Sequence, residues 1–94
     1  MNIRVEKIQE LAGDSLRGFA TVIVAGLIRI SDIKIIQPEG EEAFIQMPQR
    51  SYQTNNGEWR HSDVIELPEN LTREIEKAIL WFWHQERQTS AQGQ

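Results

Sequence analysis

The segment from Leu16 to Val24 constrains the fold more than any other part of this sequence. Successive side chains of an extended strand point to opposite faces, and here both alternating sets are largely apolar. Such a strand suits the centre of a sheet that is covered on both faces, so we predict a central β-strand. Its two faces would carry Leu16, Ala20, Val22 and Val24, and Phe19, Thr21 and Ile23.

The segment that follows predicts a hairpin and an irregularity in its second strand. Ala25-Gly26 is typical of a two-residue turn, because Gly accepts the positive φ that such turns need. The chain would then return in a strand from Leu27 to Ile36. Within this strand the apolar positions change from even to odd numbers between Ile30 and Ile33. One extra residue near Ser31-Asp32 would restore the alternation, so we predict a β-bulge there.

Three further segments complete a predicted sheet of about five strands. They alternate apolar and polar residues or are bounded by turn residues. They run from Ile3 to about Ile8, from Ala43 to Met47 and from Trp59 to Leu67. Pro48 ends the second of them, and residues 49–58 are expected to form a loop with Asn55-Asn56-Gly57 as its turn.

The last third of the chain predicts one helix. Pro68 in its first turn, or Asn70 as a cap, would start it. Apolar residues then recur with helical spacing in one stripe that should lie on the sheet, namely Leu71, Ile75, Ala78, Ile79 and Phe82. From Gln88 to Gln94 there is no Val, Leu, Ile or aromatic residue. We therefore expect one α+β domain over residues 1–87 and a polar disordered tail over residues 88–94.

Two tryptophans, Trp81 and Trp83, flank the apolar stripe of this helix. They either widen the packed face near the helix end or form an interface with a partner, since exposed aromatic area usually marks an interface. The sequence leaves both interpretations open.

Composition excludes several classes of protein. A chain of 94 residues forms one small domain, and without cysteine it has no disulfide, thiolate zinc site or cysteine nucleophile. The net charge of −4 argues against coating of nucleic acid or membrane by bulk charge, although it permits a local basic patch. The start of the chain lacks a signal-like apolar region, and the run Phe19 to Ile28 is too short to span a bilayer. We expect a cytoplasmic protein with no membrane partner.

The sequence offers little for catalysis. Its histidines, His61 and His84, are 23 positions apart. His61 and Asp63 would share one face of a strand as a weak metal pair, but Ser62 would point to the other face, so no Ser-His-Asp relay forms. Glycine spacing does not match a phosphate-binding loop. We expect no enzyme activity, metal, cofactor or small-molecule substrate.

The predicted loop is locally cationic. Arg50 and Arg60 bracket it, and Glu58 is the one acidic residue between Phe44 and Arg60. Arginine offers a planar fork to phosphate, Tyr52 can stack on a base, and Asn55 and Asn56 can bond phosphate or a base edge. These groups suit a nucleic-acid contact, but polar loops with two arginines are also common, so the residues alone leave both interpretations open.

Several motifs follow one another in a specific order. They are Asp32-Ile33-Lys34-Ile35-Ile36, Gly40, Phe44-Ile45-Gln46-Met47-Pro48 with Arg50 close behind, and Gly57-Glu58-Trp59-Arg60. Each motif alone is weak evidence for a family, whereas the motifs in this order and at this spacing are strong evidence. Over roughly Ile3 to Leu80 the chain resembles the bacterial stage V sporulation protein G (SpoVG, septation protein) family.

The resemblance implies an antiparallel sheet with a C-terminal helix, a homodimer, and a site-specific DNA- and RNA-binding regulator without catalytic activity or cofactor. By position it assigns nucleic-acid binding to Arg50, Arg60 and Arg73. Charge adds Lys34 and Lys77, although Arg73 and Lys77 also suit ordinary ion pairs on a helix surface. The alternative function is a non-enzymatic protein-interaction module that uses the aromatic end of the helix.

Overall fold

The computed structural model describes the backbone of residues 2–92 and the side chains of residues 2–87. This part of the chain forms six strands and one helix: β1 (Ile3–Glu10), β2 (Leu16–Val24), β3 (Ile28–Ile36), β4 (Phe44–Gln46), β5 (Gln49–Gln53), β6 (Trp59–Asp63) and α1 (Glu69–Gln92). Strands β1 to β4 form one antiparallel sheet in sequential order, and β5 pairs with β6 in a separate hairpin. The predicted α+β class with one C-terminal helix is confirmed.

Strand β2 is central, as its two apolar faces predict. It pairs with β1 on one side and β3 on the other. Ala20, Val22 and Val24 are buried in the core beneath α1. On the opposite face Phe19 and Ile23 are only half-buried, because the helix covers a single side of the sheet. We call this side, turned away from α1, the outer face of the sheet.

The turn between β2 and β3 has the predicted chemistry. Ala25 and Gly26 adopt φ values of 55° and 69°, and the amide of Leu27 donates to the carbonyl of Val24 at 3.0 Å. Two successive positive φ values define the type I′ turn, whose twist matches that of a hairpin.

The bulge predicted in β3 is confirmed. Ala20 lies opposite Ile33 and Val22 lies opposite Ile30, so Ser31 and Asp32 together oppose Thr21. Asp32 adopts a φ of 61°, a left-handed conformation that Asp tolerates better than most residues. The extra residue keeps the isoleucines before and after it on the core side.

The predicted loop over residues 49–58 is wrong, and the strands number six in two sheets where about five in one sheet were predicted. Residues 49–53 form β5, and β6 ends at Asp63 instead of continuing to Leu67. The amide of Thr54 donates to the carbonyl of Glu58 at 2.8 Å and closes the hairpin. Both strands are exposed on both faces, so their residues are mostly polar and show no apolar alternation.

Helix α1 packs on the sheet through most of the predicted stripe, except that Trp83 takes the place of Phe82 near its end. Ile75, Ile79 and Trp83, each four residues from the next, are buried in the core, whereas Phe82 is half-buried. Interpreting Trp83 as a partner interface is therefore wrong, because the core already encloses its ring. Leu80 also packs against this core.

Helix α1 begins after Pro68 and continues beyond its expected end. The carbonyl of Pro68 accepts bonds from the amides of Leu71 and Thr72, each at 3.1 Å, so Pro68 precedes the first turn. At the other end the helix continues to Gln92 and includes residues 88–92, which were expected to be disordered. Gln88, Ala91 and Gln92 are good helix formers and favour this extension. Residues 93 and 94 of the expected tail lie outside the described residues.

The two tryptophans of the helix provide a matched test of this packing. Trp83 is 2% exposed and Trp81 is 64% exposed. We expect Trp83→Ala to lower the free energy of unfolding by about 3–5 kcal/mol, because it removes a large side chain from the core. In a single protomer, Trp81→Ala should lower the free energy of unfolding by less than about 0.5 kcal/mol. Urea denaturation measures both, and similar losses in the two variants would contradict the orientation of the helix.

Candidate nucleic-acid interface

The β5–β6 hairpin gathers the residues of the predicted cationic loop. In its register Arg50 lies opposite Ser62, and Tyr52 lies opposite Arg60. Because side chains alternate along a strand, these four residues share one side, which we call the cationic face of the hairpin. Arg50 and Arg60 are therefore diagonal neighbours, as the sequence suggested, with Tyr52 beside both.

The cationic face is open to ligands. Arg50, Tyr52 and Arg60 are exposed, and Tyr52 retains 43% of its accessible surface. Arg60 pairs with Glu58 at 3.3 Å, and both side chains are exposed. An exposed pair of this kind is worth at most about 1 kcal/mol, so a phosphate can replace Glu58. Arg50 forms no salt bridge with the described residues.

The tip of the hairpin carries the two predicted asparagines. The amide of Gly57 donates to the carbonyl of Thr54 at 3.0 Å, which places Asn55 and Asn56 at the centre of the turn. Both are exposed. Gly57 has a φ of 83°, a conformation that glycine adopts without cost. The amide groups at the tip are thus held beyond the paired strands, where a base edge or phosphate can reach them.

The other face of the hairpin carries the carboxylate of Asp63 and the imidazole of His61. The side chain of Gln49 donates to Asp63 at 3.0 Å, and Ser51 Oγ lies 3.0 Å from His61 Nδ1. Ser62 is on the cationic face, so no Ser-His-Asp relay forms from this triplet. Within the part of the chain that the structure describes, no group of three or more His, Asp or Glu residues is placed to hold a metal ion.

Trp59 is a functional candidate that the sequence argument missed. It is 67% exposed and lies opposite Gln53 on the second face of the hairpin. An exposed indole on a ribbon can stack on a base. The motif Gly57-Glu58-Trp59-Arg60, which supports the family resemblance, is the sequence feature that points to this candidate.

The other basic residues proposed from sequence lie on different elements. Lys34 is on β3, opposite Phe19 of β2, and belongs to the outer face of the sheet. Arg73 and Lys77 are on α1, exposed on the side turned away from the core. Arg73 forms an ion pair with Glu69, one turn earlier. The hairpin therefore unites Arg50, Arg60, Tyr52, Asn55 and Asn56 but none of these three.

Comparison with protein families identifies the chain. The SpoVG family model matches residues 1–85, which include the sheet, the hairpin and most of the helix. The chain belongs to the SpoVG family. This membership makes it a SpoVG-type regulatory protein, and the SpoVG family is non-catalytic.

A search of curated protein sequences finds no match. In the described part of the chain no helix is long and apolar enough to cross a membrane.

The turn of the hairpin can be tested by substituting Gly57. An L side chain at its φ of 83° costs about 1–2 kcal/mol, which is large for a two-stranded hairpin exposed on both faces. We expect Gly57→Ala to weaken the cross-strand NOEs between β5 and β6 while those between β2 and β3 persist. The control Gly40→Ala introduces similar strain at a φ of 78° in a turn outside the hairpin. Undiminished β5–β6 NOEs in Gly57→Ala would contradict the turn geometry.

Proposed function

We propose that this SpoVG-family protein is a homodimeric regulator that binds DNA or RNA through the cationic face of the β5–β6 hairpin, in the cytoplasm. One observation carries the proposal: Arg50, Tyr52 and Arg60 lie together on an exposed face, where Glu58, paired with Arg60, is the acidic neighbour and Asp63 lies on the other face. This arrangement explains how a chain of net charge −4 can still present a site for a polyanion.

The chemistry of these groups suits nucleic acid. A guanidinium donates two parallel hydrogen bonds to a phosphate, so Arg50 and Arg60 would contact the backbone. Tyr52, between them, can stack on an unpaired base. Asn55 and Asn56 at the tip have both amide donors and carbonyl acceptors, which suit a base edge. The proposed site therefore combines backbone contacts with groups that can read sequence.

The shape of the hairpin fits the same ligand. A two-stranded ribbon enters the major groove of B-DNA, which is about 12 Å wide. The molecule is also elongated, with extents of 52 × 32 × 19 Å and a radius of gyration of 14.9 Å. A compact chain of this length would have a radius of gyration of about 12 Å. Strands β5 and β6 pair with each other in a sheet of their own and are exposed, as a contact element would be.

We leave Arg73 and Lys77 outside the proposed interface. Glu69 already pairs with Arg73, and Glu74 and Glu76 lie on the same three turns of the helix. This segment has more acidic than basic residues, so its field disfavours phosphate.

Dimerisation would double the site. Each phosphate contact contributes a salt-dependent increment to affinity, with a slope of about −0.9 per neutralised phosphate on duplex DNA. Trp81, exposed beside a groove of about 440 Å³ that Ile3, Val5 and Phe82 help to line, offers the aromatic surface for a second copy. Aromatic residues are enriched at such interfaces.

The hairpin site is tested by removing its two guanidinium charges. We expect Arg50→Gln with Arg60→Gln to weaken binding to duplex DNA or RNA at least about tenfold at low salt, and to reduce the magnitude of the salt slope by about 2 per protomer. Fluorescence anisotropy over a salt series measures both quantities.

The matched control for this test is Arg73→Gln with Lys77→Gln. It removes the same charge from the helix surface and should leave affinity within about twofold, since distant exposed charges are screened. If the hairpin variant retained the affinity of the unsubstituted protein, the assignment of the site would be wrong.

A second candidate function is a protein-interaction module, which the exposure of Trp81 favours. In that case Trp81 would bind another protein instead of a second copy.

Substitution of Trp81 tests its place in the proposed dimer. We expect Trp81→Ala to convert a dimer to monomers in sedimentation equilibrium, because burial of an aromatic ring often dominates an interface. A Trp81→Ala protein that remained dimeric would remove Trp81 from the dimer interface. A monomeric unsubstituted protein that bound neither DNA nor RNA would favour the interaction module.

A further inference from the structure

The outer face of the four-stranded sheet carries a second group of basic side chains. Arg4, Lys7, Arg29 and Lys34 are all exposed. Arg4 lies between Ile3 and Val5, both of which pack on the core, so its side chain points away from the helix. The same alternation applies to Lys34, which lies between the buried Ile33 and Ile35.

The strand register confirms that the four residues share this face. Arg4 and Arg29 both lie opposite Ile23, on the two sides of β2. Lys7 lies opposite Thr21, which follows Ala20 and precedes Val22 of the core. Lys34 lies opposite Phe19. The basic residues therefore flank the outer side chains of β2 in successive rows.

Two β-bulges bring these residues to one face. In β1 the register shifts between Val5 and Lys7, so Glu6 is the extra residue. Without it Lys7 would point to the core side, because it is three positions from Arg4. In β3 the bulge at Ser31-Asp32 acts likewise on Lys34, which is five positions from Arg29. Strict alternation along each strand would place these basic residues on different faces of the sheet. The two bulges bring them together on one cationic face.

Acidic residues only partly compensate this charge. Glu6 reaches across β2 and pairs with Arg29 at 3.0 Å, and Asp32 lies at the bulge. The face thus holds four of the 10 basic residues of the chain and two of its 14 acidic residues. On a chain of net charge −4 this is a pronounced concentration of positive charge.

The outer face adjoins the base of the β5–β6 hairpin. A cavity of about 350 Å³ is lined by Phe19, Asp32 and Lys34 on the sheet side and by Pro48 and Val64 at the base of the hairpin. Resting on the function proposed above, we propose that a nucleic-acid strand bound at the hairpin continues over the outer face. Its phosphates would contact Lys34, Lys7 and Arg4 in turn.

Charge selects this occupant over a second copy of the chain. A two-fold interface places the same patch on both subunits, so Arg4, Lys7 and Lys34 of two copies would repel one another. A phosphate backbone supplies the complementary charge. The aromatic residues on the outer face, among those described, are Phe19, which is half-buried, and Phe44, which lies opposite Ile36 and is 44% exposed. Base stacking on such rings tolerates any sequence. The face would therefore add affinity through phosphates and little sequence discrimination.

Charge reversal at Lys7 tests the inference, with Lys77→Glu as the matched control. Both substitutions replace an exposed lysine and change the charge equally, but Lys77 is on the helix, on the opposite side of the sheet. Binding is measured with labelled single-stranded DNA and RNA of about 6 and about 20 nucleotides, below and above the site sizes usual for single-strand-binding domains. The hairpin variant Arg50→Gln with Arg60→Gln is assayed alongside.

We expect Lys7→Glu to weaken binding of the long strand about fivefold or more at low salt, since it removes a phosphate contact and adds repulsion. Lys77→Glu should stay within about twofold, and the short strand should bind Lys7→Glu and the unsubstituted protein alike. Lys34→Glu supplies a second variant on the same face. Circular dichroism and thermal melting verify that each variant folds.

Equal affinities of Lys7→Glu and Lys77→Glu for the long strand would overturn the inference while leaving the hairpin site intact. Loss of binding in Lys7→Glu but not in the hairpin variant would instead support the outer face and reject the hairpin. If the unsubstituted protein bound neither strand nor duplex DNA, both proposals would fail. Dissociation of a dimer by Lys7→Glu, seen in sedimentation, would make the face a contact between copies and overturn the inference.

Discussion

The packing of α1 on one side of the four-stranded sheet determines which surfaces of this SpoVG-family protein stay outside the core. Ile75, Ile79 and Trp83 are buried against β2 and β3, and the stripe aligns α1 along the core. Glu76, the residue after Ile75, accepts a hydrogen bond from the amide of Ile45 at 3.1 Å and so ties the helix to β4. Because residues 2–92 supply one helix for the four-stranded sheet, the outer face and the hairpin stay outside the core.

A region left outside the core has different sequence requirements. Strands β5 and β6 are exposed on both faces, so their side chains contribute no apolar burial to stability. Their composition is free to serve contacts instead, and the hairpin register brings Arg50, Tyr52 and Arg60 together. The net negative charge of the chain therefore does not describe each local surface, because the pairing of the strands brings basic residues together.

Much of the sheet was predictable because its signals are local. The two apolar faces of residues 16–24, the turn at Ala25-Gly26 and the phase change at Ser31-Asp32 each depend on neighbouring residues, and all three are present. Strand β5 was not predictable, since a polar strand exposed on both sides has no apolar period. The sequence predicts the residues of the candidate site but not their arrangement. Their position on one face follows only from the pairing of β5 with β6.

The sequence by itself determined the class of fold, the central strand and the family, because apolar periodicity and ordered motifs are properties of the chain. Tertiary structure decided which tryptophan is buried, since Trp81 and Trp83 both flank the helical stripe and only packing fixes the rotation of α1. It also decided the outer face, where two bulges change the side on which Lys7 and Lys34 emerge. Alternation is read from sequence one strand at a time, but bulges are resolved by pairing between strands.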